Sequence, residues 1–207
     1  VVRVKVCGIT SLEDALMAVE AGAHALGFVF AHSHRQIDPE AASRIISRLP
    51  PLVTTVGVFV DAPLAQVKEV MAGCPLDLAQ LHGEESPEYC QELFPRAIKA
   101  FRVQDDMVLS QLPQYRLAAY LLDSYVPGVP GGSGRTFDWE IAVRAREFGP
   151  IILSGGLNPE NVRQAIEKVR PYGVDVSSGV EARLRKKDPE KLRAFFKAVA
   201  EAESVLT

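Results

Sequence analysis

Val1-Val2-Arg3-Val4-Lys5-Val6-Cys7-Gly8-Ile9-Thr10, with the segment Ser11 to Ala21 that follows it, is the stretch on which the fold reading rests. Val2, Val4 and Val6 recur at every second position, the period of a strand with one side buried. Gly8-Ile9-Thr10 interrupts that alternation, Ser11 to Ala21 carries a helical pattern, and Ala25 to Phe30 opens a second apolar run. Strand, turn, helix and strand in this order make a βαβ unit. The turn is expected to release Cys7 from the alternation, so that its thiol faces a ligand. The competing reading is a small buried hydrophobe, the commonest state of a free cysteine.

The same alternation runs to the end of the chain. Eight strands are predicted: Val2 to Val6, Ala25 to Phe30, Thr54 to Phe59, Leu78 to Leu81, Ala97 to Phe101, Ala119 to Leu122, Ile151 to Leu153 and Gly173 to Val176. Helical patterns follow them over Leu12 to Glu20, Pro39 to Arg48, Leu64 to Met71, Pro87 to Leu93, Asp106 to Leu112, Asp138 to Phe148, Pro159 to Lys168 and Pro189 to Ser204. Asp38-Pro39, Ser86-Pro87 and Asn158-Pro159 each set a capping residue before a proline at the first helical position. Strands that alternate with helices form a parallel sheet, and eight repeats favour closure. The fold class expected is α/β, a single (β/α)8 barrel over residues 1–207. An open dinucleotide-binding sheet would carry GxGxxG after its first strand, which Cys7-Gly8-Ile9-Thr10-Ser11 is not.

Composition agrees with one enzyme-sized core: 207 residues, 47% hydrophobic and 24% charged. A net charge of −3 argues against a nucleic-acid partner. No run reaches the roughly 20 apolar residues of a membrane span, and no signal-peptide pattern opens the chain, so a cytoplasmic protein is expected. Cys7, Cys74 and Cys90 are odd in number and contain no CxxC pair, which disfavours a disulfide framework and a zinc site. Cys74 and Cys90 read as structural.

In such a barrel, function gathers at the C-terminal ends of the strands. The residues there are Cys7, the loop Ala31 to Gln36 with Arg35, Asp61, His82, Arg102, Asp123, Ser154-Gly155-Gly156 and Ser177-Ser178-Gly179. The loops after the seventh and eighth strands are where barrels hold a phosphate on backbone N–H groups. Gly155, Gly156, Ser178 and Gly179 are therefore predicted to bind a phosphate monoester, glycine allowing close approach.

Taken together, the chain resembles the phosphoribosylanthranilate isomerase family. The resemblance runs through Lys5-Val6-Cys7-Gly8-Ile9-Thr10, Leu26-Gly27-Phe28-Val29-Phe30, Val56-Gly57-Val58-Phe59 and Gln80-Leu81-His82-Gly83. It continues in Gly131-Gly132-Ser133-Gly134 with Phe137 and Trp139, in Leu153-Ser154-Gly155-Gly156-Leu157 with Asn161-Val162, and in Asp175-Val176-Ser177-Ser178-Gly179-Val180-Glu181. Order and spacing carry it more than any single motif.

The resemblance implies an Amadori rearrangement of N-(5-phosphoribosyl)anthranilate to 1-(2-carboxyphenylamino)-1-deoxyribulose 5-phosphate in tryptophan biosynthesis, with no cofactor and no metal. It assigns the general base to Cys7 and the general acid to Asp123. A free thiol near pKa 8.5 is only about 3% ionised at pH 7, so the base needs a nearby cation such as Lys5. An aspartate, ordinarily ionised, must instead hold its proton until substrate arrives. The Gly/Pro-rich run Pro127 to Gly134 reads as a mobile cover over the acid.

Arg35 is the choice for the anthranilate carboxylate, because guanidinium binds a planar carboxylate in a bidentate fork. The family usually has Ser-Pro-Arg here; this chain has Ser33-His34-Arg35. His82 is expected beside the substrate or behind a group that touches it, with a structural hydrogen bond as the alternative. His32, His34 and the basic run Arg183-Leu184-Arg185-Lys186-Lys187 read as solvated surface, and Asp61 as a cap or charge-network residue. The family often has a glycine near the Lys-Asp pair, where this chain has Arg185-Lys186-Lys187-Asp188. The alternatives are another phosphosugar barrel enzyme, such as an indole-glycerol-phosphate synthase or a ribulose-phosphate epimerase, and a non-catalytic phosphosugar-binding barrel. Cys7 and Asp123 together speak against the last. Oligomeric state is not legible.

Overall fold

The computed structural model describes residues 1–124 and 136–206. Eight parallel strands close into a barrel in sequence order: β1 Arg3–Cys7, β2 Ala25–Val29, β3 Thr54–Phe59, β4 Leu78–Leu81, β5 Ala97–Val103, β6 Ala119–Ser124, β7 Ile151–Leu153 and β8 Gly173–Val176. Closure is made by β1 against β8, with Lys5 opposite Asp175 and Val6 opposite Val176. The eight predicted strands are all present, with ends moved by one or two residues.

Outside the barrel run α1 Leu12–Ala21, α2 Pro39–Ile46, α3 Leu64–Gly73, α4 Pro87–Gln91, α5 Trp139–Ala145, α6 Val162–Val169 and α7 Pro189–Leu206. Asp38 and Ser86 cap as predicted, accepting from Ala41 N and Tyr89 N. Asn158 caps a turn instead: its Oδ1 accepts from Glu160 N and Asn161 N, and α6 begins three residues after Pro159. The helix expected over Asp106 to Leu112 is two 3₁₀ segments, Asp106–Ser110 and Leu112–Gln114. Pro113 bears on the second of them, since its ring supplies no N–H to continue an α-helical ladder from the first.

Alternation sorts the strand residues into two cores. Val4, Val6, Leu26, Phe28, Leu81, Leu122, Leu153 and Val174 pack outward against the helices. A smaller cluster of Val56, Ile98, Ala100, Ala119, Leu121 and Ile152, flanked by Ala25 and Leu78, fills the barrel interior. The interior turns polar toward the strand ends, where Lys5, Gln80, Asp123 and Asp175 are buried.

One register reading is corrected here. Cys7 is the last residue of β1, paired with Gly27, and is not released by the turn. Arg3, Lys5 and Cys7 share the inward side that Val4 and Val6 leave, so Lys5 and Cys7 stand two residues apart on one face.

A second correction concerns the basic run. Glu181–Arg183 and Lys186–Lys187 form an antiparallel hairpin, β9 and β10, beyond β8. Arg183, Leu184 and Arg185 are exposed, but the Lys187 side chain is 0% exposed. Arg185 takes the left-handed φ of 69°, a conformation glycine adopts without strain, near the point where the family often places a glycine.

Candidate active site

Cys7 and Asp123 both end up at the C-terminal rim of the barrel, on β1 and β6. The space beside Cys7 exists because β2 carries glycine there: a Cβ on Gly27 would lie 2.7 Å from Cys7 Sγ and 3.1 Å from Lys5 Nζ. Beneath the thiol, Lys5 Nζ donates to Asp175 Oδ1 at 2.8 Å, and Ser154 Oγ lies 3.5 Å from Asp175 Oδ2. Burial pushes the Cys7 thiol up, with Lys5 pulling it back down. Burial also works to lower the Lys5 ammonium, but Asp175 and Cys7 outweigh it and Lys5 is raised to about 12. Lys5 is therefore a cation at neutral pH. Cys74 and Cys90 are buried and free, each raised to about 11 by burial, in keeping with a structural reading.

On the far rim, Asp123 Oδ1 accepts from Ser124 N at 2.9 Å, and Oδ2 lies 3.2 Å from His82 Nε2. Gln80 Nε2 sits 3.0 Å from His82 Nδ1. His82 thus touches the Asp123 carboxyl through Nε2, at contact distance but without hydrogen-bond geometry. The run Pro127 to Gly134 that follows lies outside the described residues.

The glycine loops after β7 and β8 lie against each other. Gly155 and Gly156 have φ of 85° and 65°, and a Cβ on Gly155 would sit 2.4 Å from Ser124 N at the end of β6. Asn161 Nδ2 holds the Gly156 carbonyl at 2.9 Å. After β8, Ser178–Val180 makes one 3₁₀ turn, whose first two N–H groups lie outside its i→i+3 pattern. A Cβ on Gly179 would reach 2.0 Å from Leu157 O, so the two loops lie directly together.

Arg35 closes the Cys7 side. Its Nε and Nη2 donate to Glu181 Oε1 and Oε2, both at 2.8 Å, and its stem crosses Gly8, where a Cβ would meet Arg35 Cδ at 2.5 Å. The fork is used on a protein carboxylate along its Nε–Nη2 edge. Asp61 braces a loop, accepting from Glu84 N at 2.6 Å while its own N–H donates to Glu85. His32 and His34 are exposed. Among the described residues no three metal-ligating side chains converge, and no helix is long and apolar enough to cross a membrane.

The fold and its rim define a (β/α)8 barrel with a thiol on β1 and a carboxyl on β6 at the C-terminal ends of its strands, a class suited to acid–base chemistry on small molecules. The family described as N-(5'phosphoribosyl)anthranilate (PRA) isomerase matches residues 4–198, and the chain belongs to it. An N-(5'-phosphoribosyl)anthranilate isomerase of Geobacter metallireducens is 59% identical over 197 residues, 95% of this chain and 98% of that protein. The phosphoribosyl anthranilate isomerase of Thermotoga maritima superposes with a TM-score of 0.89 at 46% identity, covering 97% of this chain and all of that one. A further solved isomerase, in complex with reduced 1-(o-carboxyphenylamino)-1-deoxyribulose 5-phosphate, has a TM-score of 0.87 at 45% identity, with 97% and 100% covered.

Proposed function

We propose that Cys7 is the base and Asp123 the acid by which this aldose–ketose isomerase rearranges N-(5-phosphoribosyl)anthranilate in tryptophan biosynthesis. The observation that carries the reading is the pairing of a thiol beside a buried ammonium with a carboxyl on the opposite rim, within a chain of this family. Asp123 gives its proton to the furanose oxygen as the C1–O bond breaks, and the anilino nitrogen supplies the electrons to form a Schiff base. The Cys7 thiolate then takes the proton from C2, and the C–H electrons move into C1=C2 to give the enolamine. Gain of a proton at C1 and loss of the C2 hydroxyl proton yield the aminoketose. Every step is a proton transfer or a carbon–oxygen cleavage that acid and base suffice to drive.

The substrate phosphate is assigned to the N–H groups of Gly155-Gly156 and Ser178-Gly179, where two glycines at positive φ bring backbone within reach of an anion. Ser178→Ala should change the affinity for the reduced product analogue by less than about threefold, since the donors are backbone. Gly156→Val should weaken it by at least about tenfold, because a β-branched residue at that φ strains the turn and fills the approach. Calorimetric titration of both variants reads the difference, and the opposite order would move the phosphate elsewhere.

The anthranilate carboxylate is assigned to Arg35, oriented by Glu181. Arg35→Ala is expected to cost about 10- to 100-fold in affinity for the carboxyl-bearing analogue, the range of a charged hydrogen bond. A phosphosugar ligand without the carboxyl should be affected far less. Equal losses for both ligands would place the carboxylate elsewhere.

A further inference from the structure

We propose that Lys187 is a positioning residue for this reaction, joining the carboxylate anchor Arg35 to the base Cys7 through one buried ammonium. Its Nζ donates to Cys7 O at 2.8 Å and Ser177 O at 3.0 Å, and lies 3.2 Å from Glu181 Oε1. Those acceptors come from the end of β1, the turn after β8 and the start of β9, so the three protons of the ammonium tie three elements together. Glu181 Oε1 is the same oxygen that accepts from Arg35 Nε. A continuous path therefore runs from Arg35 through Glu181 and Lys187 to the Cys7 carbonyl, which Ser177 Oγ also holds at 3.2 Å.

A lysine whose side chain is fully shut off from water is costly unless every proton is satisfied. Here the satisfied partners are groups that bear on the site. Fixing the Cys7 carbonyl fixes the backbone from which Sγ projects, and fixing Glu181 sets the plane of the Arg35 fork. Charge acts in the same direction. Burial lowers the Lys187 ammonium and Glu181 restores part of that loss. Burial likewise works to raise Glu181, but its bonds to Arg35 and the charge of Lys187 hold it below the usual carboxylate range. The charged groups facing the thiol are Lys5 from β1, Asp175 from β8, Lys187 from β10 and Arg35 from the loop after β2. Asp175 opposes thiolate formation, whereas Lys187 favours it alongside Lys5.

The inference rests on Cys7 being the base, and the test keeps the two claims apart by reading the thiol directly. Lys187→Met preserves the stem and removes the ammonium. In this variant the pH profile of iodoacetamide alkylation at Cys7, followed by peptide mass spectrometry, should move to higher pH by about half a unit or more. The single-turnover rate should fall by about 10- to 100-fold, the scale of an ångström-sized misplacement of a reacting group. If Lys187 serves only the hairpin, the folded variant keeps both the wild-type alkylation profile and the wild-type single-turnover rate, and the proposal is overturned. Should Lys187→Met fail to fold, Glu181→Gln carries the test, since it keeps the Lys187 bonds to the two carbonyls but removes the carboxylate charge between Lys187 and Arg35 and leaves one acceptor oxygen where the fork uses two. It should lose about tenfold in affinity for the carboxyl-bearing analogue and little for a ligand without the carboxyl. Unchanged affinity for both would sever the proposed path.

Discussion

Cys7→Ser should turn over freshly generated N-(5-phosphoribosyl)anthranilate about 10³-fold more slowly than the wild type, the middle of the range lost with a general base. The substitution is near isosteric at a site enclosed by Lys5 and Gly27, so folding and affinity for the reduced product analogue should be retained. The loss is chemical in origin: a hydroxyl is far less acidic than a thiol, and the Lys5 ammonium cannot hold it as an alkoxide near neutral pH. A loss confined to KM would instead mean that Cys7 only helps to bind. Because the thiol is raised by burial, its ionised fraction grows with pH, and the wild-type single-turnover rate should rise from neutral toward alkaline pH.

Asp123→Asn is expected to cost about 10²- to 10⁴-fold in turnover, because the amide cannot deliver a proton to the ring oxygen. The amide can still accept from Ser124 N and face His82, so the rim should keep its shape. Product-analogue affinity within a few-fold of wild type would place the loss in the chemical step. Turnover close to wild type would remove Asp123 as the acid and leave His82, the group in contact with it, as the next proton carrier to test.

The barrel was legible because each strand announces itself locally, by apolar residues at a period of two between helical segments, and eight such units favour the closed topology over an open sheet. Its rim was legible for the same reason, since the residue after each apolar run falls where loops converge. What the chain hid depends on contacts that no local pattern encodes. The alternation through Lys5 and Cys7 was visible, but reading Val2, Val4 and Val6 as the whole strand ended it too early and set the thiol in a turn. The segment Asp106 to Leu112 has helical spacing, but spacing alone does not separate an α-helix from the short 3₁₀ turns found there. Lys187 sits in a run of charges that looks solvated, and only the β9–β10 hairpin, folding back over the β1 and β8 ends, buries one lysine while leaving Arg183 and Arg185 exposed. Arg35 was singled out by type, but its partner Glu181 lies 146 positions away, beyond the reach of any spacing argument.

The central claim, that thiol and carboxyl act from opposite sides of one bound phosphosugar, is tested most directly by a crystal structure of this protein with the reduced product analogue. The account predicts Cys7 Sγ at about 3.5 Å from C2, the Asp123 carboxyl within about 3 Å of the oxygen that leaves the ring, and the phosphate on the N–H groups of Gly156 and Gly179. A ligand bound with its phosphate against the loops of Asp61 and His82, or with C2 turned away from Cys7, would contradict it.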